Sequence, residues 1–88
     1  LYGSAPADRL AEASARLHAH LAGLLAEVLG RRAPHLPAGR RLAIAGMVLA
    51  TVTAVMPRIV EAAPDRAAEL TAELKTMLTA YLTTALAA

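Results

Sequence analysis

The stretch LAIAGMVLATVTAVM, Leu42 to Met56, carries no charge and lies in the middle of an 88-residue chain. It is shorter than the roughly 20 apolar residues that a bilayer crossing requires. It is apolar on every side, so burying one face would leave the other in water. Whatever the chain folds into must cover this segment nearly all round. A chain of 88 residues makes one domain at most. At that size it buries only about 60–65% of its unfolded surface. Yet 57% of its residues are hydrophobic. The excess predicts contacts with a partner in addition to a core.

Ala and Leu dominate, and strand-type alternation is absent. Two turn clusters, GRRAPHLPAG (30–39) and AAPD (62–65), divide the chain into three helical segments. The first is predicted from about Pro6 to Leu29, with Ser4 as N-cap, Pro6 in the first turn and Gly30 as the stop. Leu10, Leu17, Leu21, Leu24, Leu25 and Val28 share one stripe of it, so it reads as an ordinary amphipathic helix. The second runs from about Gly39 to Ala63. Ala43, Gly46, Ala50 and Ala54 fall on one side, with Met47 beside them. Ile44, Val48, Val52, Val55 and Ile59 fall on the other. Small residues let a second helix backbone come close, whereas β-branched ones fill a core. Pro57 removes a backbone hydrogen bond and predicts a kink about a turn before it. The third helix is predicted from about Pro64 to Leu86, with Asp65 and Glu69 at its positive end. Leu70, Leu74, Met77, Leu78, Tyr81, Leu82 and Ala85 form its broad apolar stripe.

Three short helices cannot enclose the whole circumference of the middle one. The remaining cover is then a second chain or further parts of the same protein. Most soluble oligomers are closed homodimers, so the simplest cover is a symmetry mate. The fold class expected is all-α, a three-helix fragment whose last two helices pair with a second subunit in a four-helix bundle. The dimer interface is expected at Gly46, Ala50, Ala54, Leu74, Met77, Leu78 and Tyr81. A ligand pocket, if one survives, is expected between the first helix and the bulky side of the second. Leu17, Leu21, Leu24, Val48 and Val52 would line it, with His18 as the nearest polar group.

Little in the sequence points to catalysis. There is no Cys, so no disulfide, thiolate nucleophile or Cys-based metal site exists. The chain fits a reducing compartment, and the cytoplasm is its expected location. Two Tyr are the only aromatic residues, which disfavours base stacking on nucleic acid. His18 and His20 leave their helix about 200° apart and cannot share a metal. Asp65, Glu69 and Glu73 read as dipole compensation on a solvated edge. The pairs Arg31–Arg32 and Arg40–Arg41 read as solvated helix ends. No P-loop, GxGxxG or GxSxG motif occurs. The expectation is a non-enzyme with no catalytic residues, no metal and no cofactor. The net charge of +2 and a pI of about 9.7 are weak evidence for an anionic partner.

The order of these elements resembles a known family. An amphipathic helix and a basic, Pro-containing loop lead into RRLAIAGMVLATVTAVMPRIVEAA, and ELTAELKTMLTAYLTTALAA follows. This looks like the C-terminal half of a bacterial TetR-family transcriptional repressor. The resemblance spans the whole chain. It implies that residues 1–88 form an all-α effector-binding and dimerisation domain, and that the family's N-terminal helix-turn-helix is absent from this chain. DNA would then be contacted only through that other domain. The partners it implies are a second copy and a small apolar effector that changes the DNA affinity of the intact protein. The competing readings are a helical oligomerisation module without a ligand and a membrane-associated hairpin.

Overall fold

The computed structural model describes residues 6–87. Among the described residues there are three α-helices: α1 Pro6–Arg32, α2 Ala38–Glu61 and α3 Pro64–Ala87. No strand occurs among the described residues, so the all-α, three-helix architecture is as the periodicity predicts. The proposed cap at Ser4 lies outside the described residues.

The boundaries differ from expectation at one instructive place. Gly30 does not stop α1, which continues to Arg32. The Arg41 guanidinium, reaching across from α2, occupies the space that a Cβ on Gly30 would need. Glycine is therefore used here for a close approach, not for a left-handed cap. The last turn closes instead through Ala33 N–H, which donates to the Leu29 carbonyl at 2.7 Å. Leu36 N–H then donates to the Ala33 carbonyl at 3.1 Å, and both Ala33 and Leu36 are buried. The connection is thus part of the core. Pro37 caps α2 without a side-chain hydrogen bond. α2 runs on through Pro57 to Glu61, where the Ala62 N–H turns back to the Ile59 carbonyl. Pro64 opens α3 at the position where its missing N–H costs nothing. The short link between these two helices makes them antiparallel neighbours.

α2 is the central element and packs against both α1 and α3. Its bulky side turns inward: Ile44 is fully buried, and Val48, Val52, Val55 and Ile59 are half-buried. The main core gathers Ile44 and Ala45 with Leu29, Ala33, Leu36 and Ala85, and Leu25, Tyr81 and Leu82 pack around it. This core sits at one corner, where the end of α1, the connecting loop, the start of α2 and the end of α3 meet. Away from that corner the outer part of α1 lacks cover. Leu10 and Leu17 on α1 are 68% and 58% exposed.

The resulting body is flat. It measures 48 × 37 × 14 Å, so it is about one helix thick. Its radius of gyration is 16.0 Å, against about 12 Å for a compact chain of this length. Its accessible surface is 6333 Å², against about 4900 Å² for a folded monomer of this mass.

Ile44→Ala should therefore destabilise the chain by about 2–4 kcal/mol in urea titration, as the loss of a fully buried side chain does. Leu10→Ala should change stability by less than about 0.5 kcal/mol. Equal losses would contradict this placement of the core.

Candidate functional site

The flanks of α2 are taken by α1 and α3, and a third arc is left open. At about 100° per residue, Leu42, Ala43, Gly46, Met47, Ala50, Thr53 and Ala54 span roughly 140° of the helix surface. Gly46 is half-buried and the other six are exposed. None carries a charge. A Cβ placed on Gly46 meets nothing within 4 Å. The chain itself makes no use of the close approach that these small residues permit.

Beside this arc, α2 and α3 form an apolar groove. Its first section, about 180 Å³, is lined by Met47, Val48, Thr51, Met77, Leu78 and Tyr81. Its second, about 200 Å³, is lined by Val55, Arg58, Leu70, Glu73, Leu74 and Met77. Met77 belongs to both sections and is 49% exposed. Thr51 adds little polarity, because its hydroxyl donates to the Met47 carbonyl one turn back at 2.8 Å. Thr71 and Thr76 on α3 bond their own helix in the same way.

The seven residues expected at an interface are distributed as follows. Gly46, Ala50 and Ala54 lie on the open arc of α2, and Met77, Leu78 and Tyr81 line the adjoining groove. Leu74 is buried within the chain, at the floor of the second groove section. The structure thus places three of them on the open arc and three in the groove beside it, where Leu78 and Tyr81 are half-buried and Tyr81 also packs on the core, and it gives the seventh an internal role. The residues expected at a pocket are not gathered in one cavity among the described residues. Leu17, Leu21 and Leu24 stand exposed on α1, His18 is half-buried, and Val48 faces the α3 groove. Val52 is half-buried and lines neither section of that groove. The cleft that α1 and α2 do share, about 190 Å³, is lined by Gly23, Ala26, Glu27, Ala38 and Arg41.

Met47, Thr51, Val55 and Leu70 line the groove, yet the interface expected from sequence left them out. Their signal was present: 47, 51, 55 and 58 repeat at helical spacing toward α3. Two apolar faces on one helix obscure which of them a neighbour takes. α2 is also long and apolar enough, by length and composition alone, to cross a membrane. Its charge-free run between Arg41 and Arg58 rises only about 24 Å, short of the roughly 30 Å hydrocarbon layer.

An all-α layer with one open apolar arc beside a groove leaves a contiguous apolar surface of the kind that marks interaction sites. Residues 1–82 match the family described as "Tetracyclin repressor-like, C-terminal domain", and the chain belongs to that family. Domains of this family are regulatory, which makes the chain part of a TetR-family regulator. No curated protein and no solved structure matches it.

Leu74 and Met77 lie on one helix but have different surroundings. Leu74→Ala should lower the unfolding free energy by about 2–4 kcal/mol. Met77→Ala should leave helix content unchanged and weaken self-association, read by circular dichroism and sedimentation on the same samples. The reverse pattern would contradict the assignment of one to the interior and the other to a surface.

Proposed function

We propose that the chain is the dimerisation and effector-sensing domain of a cytoplasmic, one-component transcriptional repressor. A second copy covers the open arc of α2 and the α2–α3 groove, completing a four-helix bundle. The observation that carries this reading is the surplus surface of about 1400 Å² relative to a compact monomer of the same mass. A standard interface takes about 800 Å² from each partner, and obligate homodimers take more. The surplus is therefore large enough to hold the patch that a permanent partner covers, with the exposed leucines of α1 in addition. Family membership supports the same reading, as homodimerisation is the family's expected mode.

In the intact protein, DNA is contacted through an N-terminal helix-turn-helix domain outside this chain. The exposed Leu17, Leu21 and Leu24, with His18 beside them, form one wall of a pocket for a small apolar effector. Further helices of the intact protein complete the enclosure, and Val48, which lines the α3 groove, lies outside it. Effector binding would favour one of two arrangements of the DNA-reading heads, a shift in population between pre-existing states. The scatter of the six pocket residues favours a second reading, an oligomerisation module without a ligand. A thermal shift of the intact protein on titration with apolar small molecules supports the first reading, and no shift across a broad set supports the second.

Ala50→Arg tests the interface. Ala50 is exposed in the chain, so within one subunit the substitution changes stability by no more than about 0.5 kcal/mol. Against a partner helix the long side chain does not fit and its charge has no counterpart. Association should weaken by several kcal/mol, enough to turn dimers into monomers. The expected result is a helical monomer by sedimentation and circular dichroism. A folded, fully dimeric variant would overturn this placement of the interface.

A further inference from the structure

The groove within the face assigned to the partner has one pair of opposite charges in its lining. Arg58 on α2 and Glu73 on α3 both line the groove section floored by Val55, Leu70, Leu74 and Met77, and both are exposed. They are not paired with each other. The one ion pair among the described residues joins Arg66 to Glu69 within α3. Glu69 is thereby engaged, and Glu73, one turn further on, makes no ion pair within the chain although Arg58 lines the same groove section. Lys75 is two residues on, about 200° around the helix, and lines a separate depression with Thr76, Thr79 and Ala80. From Leu42 to Pro57, α2 has no charge at all. Arg58 and Glu73 are thus the two charges that line the α2–α3 groove, while Arg40 and Glu61 lie at the two ends of α2 beyond the charge-free run.

A twofold interface is self-complementary: if residue i meets residue j of the partner, j also meets i. Two opposite charges on one such face can therefore satisfy each other twice, once on either side of the axis. Charges at an interface rim set partner choice and register more than raw affinity. Resting on the dimer reading above, we propose that Arg58 pairs with Glu73 of the partner subunit, and Glu73 with Arg58 of the partner subunit. The two reciprocal pairs select a second copy of this chain and fix the register of the bundle. The occupant is a second copy because the surplus surface matches an obligate self-interface and because the border charges are complementary to themselves under twofold symmetry.

Charge reversal in two separate variants tests the pairing. In Arg58→Glu, each reciprocal contact sets Glu against Glu. In Glu73→Arg, each sets Arg against Arg. Either variant alone should dimerise at least about tenfold more weakly than the parent chain. Mixed together, the two restore both contacts as opposite pairs. Native mass spectrometry of the mixture should then show heterodimers far above their statistical share. The double variant Arg58→Glu/Glu73→Arg should return to parental affinity, which also shows that reversal leaves the fold intact. If the parent chain is a dimer and the mixture is statistical, the reciprocal pairing is overturned while the dimer stands. The same holds if the double variant recovers but the mixture does not, because the charges then act within one chain. A parent chain that stays monomeric overturns the dimer reading and this pairing together.

Discussion

The structure depends on the lack of charge on α2 between Arg41 and Arg58. A helix that is apolar all round must be enclosed, and two neighbours enclose only two of its flanks. α1 and α3 meet that demand near the start of α2, where Ile44 and Ala45 are fully buried. They do not meet it further along, where Met47, Ala50 and Ala54 face outward. The flat body, the large accessible surface and the open groove all follow from this one mismatch between helix count and apolar circumference.

β-Branched residues and Gly46 give α2 a weak intrinsic preference for helix. Its persistence through Pro57 to Glu61 therefore rests on packing, with Val52, Val55 and Ile59 half-buried along the way. The groove beside α3 is apolar partly because Thr51 turns its hydroxyl back on the Met47 carbonyl. The loop between α1 and α2 is anchored in the corner core by the burial of Ala33 and Leu36. Firm packing at one end and open apolar surface at the other suit a domain whose shape is completed by association.

Much of this was legible in the sequence, because 3.6-residue periodicity and proline position are local signals. The three helices, the opening of α3 at Pro64 and the inward turn of Ile44, Val48, Val52 and Val55 could all be read from spacing. Gly30 was misleading because its role depends on Arg41, eleven residues away, reaching over α1. Leu74 and Met77 could not be told apart by hydropathy. Only the position of α2 relative to α3 makes one internal and leaves the other at the surface. The scatter of Leu17, Leu21 and Leu24 away from Val48 has the same origin. α1 reaches the core through its C-terminal third, where Leu25, Ala26 and Leu29 pack, so Leu17, Leu21 and Leu24 stay on the outside. Periodicity gives a face, and the angle between helices decides what that face meets.

The central claim is that a second copy supplies the missing cover of α2. Folding and association are then coupled, so stability depends on concentration. The most direct measurement is the urea midpoint of the chain, followed by circular dichroism at concentrations spanning two orders of magnitude. A midpoint that rises steadily with concentration is the predicted result. A helical chain whose midpoint is the same at every concentration would contradict the claim.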